Sequence, residues 1–315
     1  MFKLENLKGK TAFITGGASG IGLALAQECG KEGMNLVVVD LRQEAIDAAL
    51  PSLSEFPVLA MQLDVTDREG YASCVAQAKA KFGNIHLLAN NAGIGGARGP
   101  LWEVSYDSTD LCLDINLTAV LTGIHLIVPD MIKHGEGGYV VNTASKAGLI
   151  AVPGCGLYNL TKQALTSLSE TMATDLEGTK VGCACFFPGP FKSNLGQTSG
   201  DVERQLLGDK APPPPPPPPA LKEGEELPPM PNFDEFTRPA SDAAKRILRG
   251  VRRGDLYIIT HTEFKEGFEE RVHAMLRAFP GDKPKEGFEK AFGFLVKNPV
   301  FNKQENVPAM DDDKK

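Results

Sequence analysis

KTAFITGGASGIG, residues 10–22, opens as a short apolar run and closes on the glycines Gly16, Gly20 and Gly22. An apolar run of this length ending in a glycine-rich turn predicts a buried strand. Beyond it Leu23, Leu25, Ala26 and Cys29 recur at helical spacing and Gly33 supplies a stop, so a helix is expected over 21–32. Strand, glycine turn and helix in that order make a phosphate cradle. The glycines allow a tight turn, a close approach of backbone to a pyrophosphate, and close helix–strand packing. The new helix adds unpaired N–H groups and the positive end of its dipole. A glycine-rich turn by itself is a weak signal; its place between strand and helix gives it weight.

The alternation continues outward. Strands are expected over 35–39, 57–63, 86–89, 139–143 and 180–187, and helices over 43–50, 69–82, 107–133 and 158–176. This spacing predicts an α/β fold: a parallel sheet with helices on both faces, doubly wound (Rossmann-type) because crossovers are right-handed. The second strand ends on Asp40, about 20 residues past the glycines, where a carboxylate can accept from both adenosine ribose hydroxyls and repel a 2′-phosphate. That favours NAD over NADP. Arg42 is the nearby group able to meet such a phosphate, and a plain turn residue is the alternative for Asp40.

After residue 195 the character changes. Residues 198–239 carry eight consecutive prolines at 212–219, acidic residues at 223–226 and more prolines at 228–231. Proline fixes φ and lacks an amide donor, so neither helix nor central strand is expected in this insertion. The run itself should form a polyproline II rod of about 25 Å, at roughly 3.1 Å per residue. It reads as a solvated lid or surface insertion, or as a ligand for a polyproline-binding partner. A capped helix over 241–253, a strand over 256–260 and an amphipathic helix over 263–279 then complete a single domain spanning 1–315, with the tail at 311–315 frayed.

The 315 residues, 42% hydrophobic and 23% charged, permit a sizeable core. The net charge of −7 speaks against a nucleic-acid binder, whose positive charge is in excess. No secretory leader and no run of about 20 apolar residues is seen, so neither export nor a membrane span is expected. The six cysteines read as reduced, mostly buried thiols of a cytoplasmic protein. Cys183 and Cys185 would share a strand face in the core, and no metal is expected.

Further marks stand in order: Asp64 after the third strand, Asn90-Asn91-Ala92-Gly93 after the fourth, and Asn116 in the long helix. Ser145 follows the fifth strand, then Tyr158 with Lys162, then Pro188-Gly189 after the sixth. With the GxxxGxG spacing they make the chain resemble the short-chain dehydrogenase/reductase family over nearly its whole length. Tyr158 and Lys162, four apart, share a helix face. A free phenol titrates at about pH 10; a neighbouring ammonium and the positive nicotinamide are expected to lower that value towards the working range. Tyr158 then takes the alcohol proton in oxidation or returns it in reduction, while Ser145 orients the substrate oxygen. The resemblance implies further roles. Lys162 and Tyr158 also meet the nicotinamide ribose, and Asn116 anchors a water path to Lys162. Gly16, Ser19, Gly20, Ile21 and Gly22 meet the phosphates, and Asp64 and Val65 flank the adenine. Asn90, Asn91, Ala92 and Gly93 run along the cofactor, Pro188 and Gly189 close over the nicotinamide, and Ser193 lies near its carboxamide or the phosphates.

The resemblance also implies that the segments after the fourth, fifth and sixth strands line the substrate pocket. Here they hold Ile94, Leu149, Val152, Pro153, Cys155 and Phe191, a mostly apolar set suited to an aryl or alkyl carbinol. Lys192 could meet an anionic group. The stretches at 191–195 (FKSNL) and 256–276 (LYIITHTEFKEGFEERVHAML) locally resemble bacterial dehydrogenases that oxidise the benzylic Cα alcohol of lignin-derived aryl ethers. A 3-oxoacyl or 3-hydroxyacyl substrate and a hydroxysteroid are the alternatives. A non-catalytic nucleotide-binding scaffold with a polyproline partner is the alternative of another class, since fold alone does not separate the two. The resemblance also implies a homodimer or homotetramer paired through the helices bearing Asn116 and Tyr158.

Overall fold

Among the described residues, β1 (Thr11–Thr15), β2 (Asn35–Asp40), β3 (Val58–Gln62), β4 (Leu87–Asn90), β5 (Gly138–Thr143), β6 (Val181–Phe187) and β7 (Tyr257–Ile259) join in one parallel sheet. The order is β3-β2-β1-β4-β5-β6-β7. The structure is a computed structural model and describes residues 2–192, 195–211 and 233–307. The helices are α1 (Gly20–Lys31), α2 (Gln43–Leu53), α3 (Arg68–Phe82), α4 (Tyr106–Leu113), α5 (Ala119–His134) and α6 (Gly156–Asp175). They continue with α7 (Leu195–Leu207), α8 (Phe233–Phe236), α9 (Ala240–Arg253), α10 (Lys265–Arg277), α11 (Phe288–Val296) and α12 (Pro299–Glu305).

Every residue of β1 and β6 is buried, as strands covered on both faces must be. Alternate side chains divide between the layers. Ala12, Ile14, Leu36 and Val38 pack with α1, α2 and α9. Phe13, Val37, Val39 and Leu88 pack with α3 to α6, Phe13 stacking on Tyr71 at 5.7 Å. The doubly wound sheet expected from the alternation is therefore present. Its connectivity reverses between β1 and β4, and a crevice opens there at the carboxyl ends of the strands.

Helices α4 and α5 are one run interrupted by a π turn at Asp114–Thr118. By length and composition the run Tyr106–His134 could cross a bilayer, yet half of its apolar window is buried inside the domain. Its apolarity serves packing on the sheet.

The expectation of no helix within 198–239 is corrected: α7 runs to Leu207 and α8 lies near the far end. Proline disfavours a helix only around its own position, and the run begins at 212; the segment before it holds Leu, Gln, Glu and Arg, good helix formers. The prolines at 212–219, the clusters at 223–231, the tail at 311–315 and Ser193 lie outside the described residues. Helix α9 starts behind Pro239, without a side-chain cap. Helices α11 and α12 were not expected. α12 is anchored by Val300, fully buried beside Met172, Leu176 and Leu256, and by Thr174 Oγ1 donating to Asn298 Oδ1 at 3.1 Å. Its Gln304 Oε1 accepts from Leu256 N (2.6 Å) and Tyr257 N (3.3 Å), covering part of the sheet's edge. All six cysteines are free thiols, Cys183 and Cys185 fully buried on β6.

Candidate active site

Gly16 and Gly20 take φ of +60° and +50°, a region glycine enters without strain. A Cβ at Gly22 would stand 2.1 Å from Gly16 O, so the first turn of α1 sits directly against the end of β1. Asn91 ties this turn to β4: its Nδ2 donates to Thr15 O (3.0 Å) and Gly16 O (3.1 Å). Thr15 Oγ1 in return accepts from Asn91 N (3.0 Å) and Ala92 N (3.1 Å). At the end of β2 the buried Asp40 carboxylate accepts from Ala18 N (3.2 Å) and Arg42 N (3.4 Å). Asp64 Oδ1 accepts from Thr66 N and Oγ1 at 2.9 and 2.8 Å.

A cleft of about 550 Å³ crosses these strand ends. Gly16, Ser19, Gly20, Ile21, Asp40, Arg42, Asp64 and Val65 line one part of it, and Asn91, Ala92, Gly93, Ile94, Tyr158, Lys162 and Pro188 another. Helix α7, missed from sequence, contributes Leu195, Thr198, Val202 and Leu206. Their spacing is a helical stripe that could have been read. Of the other predicted residues, Gly22, Asn90, Asn116, Ser145, Val152, Cys155, Gly189 and Phe191 stand off that lining. Asn90 spans β4 and β5 in the core, its Nδ2 donating to Asn142 Oδ1 at 2.9 Å. Val152 exchanges backbone hydrogen bonds with the Asn159 side chain, and Cys155 pairs with Gly99. Phe191 departs furthest from expectation. It is buried with Ala243 and Ile247, its ring edge-on to His261 at 5.4 Å.

At the inner end of the cleft, buried Lys162 donates from Nζ to Thr143 O (2.8 Å) and stands 5.5 Å from the centre of the Tyr158 ring. The Ser145 side chain lies near enough to the Tyr158 phenol to favour its ionised form. Asn116, turned inward within the π turn, accepts at Oδ1 from Ile94 N (2.8 Å) and donates from Nδ2 to Ile94 O (2.9 Å) and Thr161 Oγ1 (3.2 Å). A Cβ on Gly93 would lie 3.1 Å from Asn116 Oδ1 and 3.4 Å from Lys162 Nζ, so the two side chains meet at that glycine. Burial raises the Tyr158 phenol above its usual range, against the lowering effect of the Ser145 hydroxyl, and pushes Lys162 down to about 8. The expectation that the lysine lowers the tyrosine is thus corrected for the protein by itself. A phenolate here loses its hydration, and the same burial weakens the ammonium that should stabilise it.

The family model for short chain dehydrogenases matches residues 10–204. The chain belongs to that family. The C alpha-dehydrogenase of Sphingobium sp. (strain NBRC 103272 / SYK-6) is 31% identical over 276 residues, 87% of each chain. The 3beta-hydroxysteroid dehydrogenase 2 of Eggerthella lenta is 34% identical over 192 residues, 60% of this chain and 74% of the relative. A solved short chain dehydrogenase/reductase of Burkholderia phymatum in complex with NAD matches with a TM-score of 0.74 at 29% identity, covering 90% of this chain and 100% of that one. The resemblance carried by the ordered motifs therefore holds.

Short-chain dehydrogenases are oxidoreductases of CH–OH groups and use a nicotinamide cofactor. The residues of this chain fit such a group. The glycine turn leaves no room for a side chain at Gly22 and opens the amino end of α1 to the cleft. Ser19, Gly20 and Ile21 would meet the pyrophosphate, Asp40 the adenosine ribose, and Lys162 the second ribose.

Proposed function

We propose that this chain is an NAD-dependent dehydrogenase/reductase interconverting a secondary alcohol and its ketone, with an apolar or aromatic substrate. The observation that carries this reading is Tyr158 beside Lys162, with Ser145 near the phenol, in the cleft that also holds the glycine turn and Asp40. A bound nicotinamide would supply the hydride chemistry, taking hydride from the alcohol carbon or giving it to the ketone carbon. Ser145 holds the substrate oxygen by a hydrogen bond, and Tyr158 exchanges a proton with that oxygen. Lys162, fixed on Thr143 O, holds positive charge near the phenol. Burial keeps Tyr158 protonated at neutral pH, the form that donates to a ketone oxygen, so the oxidative direction gains as pH rises.

Asp40 supports NAD over NADP, because a 2′-phosphate would meet its carboxylate. Ile94, Ile115, Leu195, Val202 and Leu206 give the cleft apolar walls, which supports an aryl or alkyl carbinol. A benzylic Cα alcohol of a lignin-type aryl ether is the specific substrate we favour. The C alpha-dehydrogenase match reaches across 87% of this chain, against 60% for the hydroxysteroid relative. We extend the reading to a cytoplasmic homodimer or homotetramer.

The test is absorbance at 340 nm on mixing the protein with NAD or NADP and a panel of benzylic, 3-hydroxyacyl and steroid alcohols. NADH should accumulate with a benzylic alcohol, more slowly with NADP, and Tyr158→Phe should abolish it. NADH binding without turnover in either direction, across alcohols and ketones, overturns the catalytic reading.

A further inference from the structure

Beyond β7 the chain passes Thr260 and His261 into a tight turn at Thr262–Phe264 and then α10, outside the residues that the family model covers. Two sets of contacts lead from this arm back to the loops of the site. In the first, Thr260 Oγ1 accepts from Gly189 N (3.0 Å) and donates to Phe187 O (3.2 Å), and His261 Nδ1 lies 2.6 Å from the same oxygen. With its proton on Phe187 O, the hydroxyl has one lone pair left, which takes Nδ1–H of a neutral His261. That tautomer makes Nε2 an acceptor, and Nε2 is buried without a partner among the described residues. The ring is wedged between Phe191 and Phe264, each with its centre 5.4 Å away. A Cβ on Gly189 would come 2.4 Å from Nδ1, so the imidazole backs the Pro188-Gly189 turn, and Pro188 lines the cleft.

In the second, Arg271 of α10 donates from one Nη to Leu149 O (2.6 Å) and from the other to Gln163 Oε1 (3.2 Å). Leu149 lies in the segment from β5 to α6, just past Ser145, whose carbonyl accepts from Gly148 N (2.9 Å). Gln163 follows Lys162 on α6. Gly267 lets α10 approach this segment; a Cβ there would stand 3.1 Å from Ile150 Cδ1. The guanidinium is a rigid planar fork. It therefore fixes the spacing between the segment that carries Ser145 and the helix that carries Tyr158 and Lys162.

We propose that the arm after β7 is a positioning element for the reaction, Thr260 setting the turn on the cofactor side and Arg271 the loop on the alcohol side. The inference rests on the catalytic reading above and adds that shape for the alcohol is set from outside the residues that perform the chemistry. Neither residue lines the cleft. Both act through backbone that does or that leads to it, where a displacement of about 1 Å is enough to cost activity.

The experiment compares Arg271→Gln, Arg271→Lys, Thr260→Val and Thr260→Ser by amide hydrogen exchange, NADH dissociation constant and steady-state kinetics. Arg271→Gln should speed exchange over 146–153 and raise the alcohol KM roughly tenfold, with the NADH constant held within about twofold. Thr260→Val should do the reverse, speeding exchange over 188–192 and weakening NADH roughly tenfold while 146–153 stay protected. Thr260→Ser keeps the hydroxyl and Arg271→Lys keeps a donor for Leu149 O, so both should recover most of the loss. Unchanged exchange in both loops, or the same pattern of change in both variants, overturns the proposal. A wild type that binds NADH but turns over no alcohol removes the catalytic reading, and the exchange and NADH measurements still decide whether the arm restrains the two loops.

Discussion

Ser145 shows how one oxygen can set the working pH of a neighbour. Its hydroxyl favours the phenolate of Tyr158, against a burial that otherwise holds the phenol protonated. Removing it in Ser145→Ala raises the tyrosine further, and a base acts only above its own pKa. The alkaline rise of kcat/KM for alcohol oxidation should therefore move to higher pH, with the residual rate down by roughly 10²–10³-fold, as for loss of one oriented donor. A pH–rate profile of the variant checks it. The ordered motif made Tyr158, Lys162 and Ser145 legible in the sequence. The direction of the tyrosine's shift was not, because spacing reports who is adjacent and says nothing of how much water is left. Phe191 was misjudged for a related reason: an apolar residue after a strand suits a pocket wall and a core equally well.

At the scale of elements, strands β1 to β6 and helices α1 to α6 were legible because each carries its own period and its own stop signal. Helices α7, α11 and α12 were not. The stripe of α7 at 195, 198, 202 and 206 runs directly into prolines that end any helical pattern, and the short α12 depends on Val300 and Asn298 meeting α6 across more than a hundred residues of sequence. Tertiary packing overrides weak local preference in such cases. Gln304 makes the dependence measurable. In Gln304→Ala, Leu256 N and Tyr257 N lose their shared acceptor, which should cost about 1–3 kcal/mol. The urea midpoint should fall with the slope unchanged, and Gln304→Glu should restore part of the loss.

Across the whole molecule the two ends of the sheet are set to different tasks. The carboxyl ends open to the cleft, while beside the amino ends of β1, β4 and β5 stand His86, His134 and Glu136, whose ligand atoms lie within 4.8 Å of one another. That trio has metal-ligand chemistry but its ring nitrogens are engaged. Thr11 N donates to His86 Nδ1 (3.2 Å) and Glu136 N to His134 Nδ1 (3.1 Å). Each Nε2 must then carry the proton, donating to Glu136 Oε2 (2.9 Å) and Ile85 O (3.2 Å) respectively. Charging His86 would set a new N–H against that of Thr11, and burial lowers its pKa below the ordinary 6.5 despite the Glu136 bond. A histidine depressed in the folded state binds fewer protons there than when unfolded, so its contribution is complete above pH 6.5 and fades as pH falls towards the folded value. Chemical denaturation between pH 7.5 and 5.5 should show falling stability, and His86→Asn, with an amide that gains no proton, should show a shallower slope. The π turn at Asp114–Thr118 has a consequence of another kind. It amounts to one extra residue in helical register, and its removal would rotate one half of the helix against the other by about 100°. Asn116 would leave Ile94 while the helix itself survived. One residue of helical register therefore separates a helix that only props a sheet from one that also holds Ile94 on the wall of the cleft.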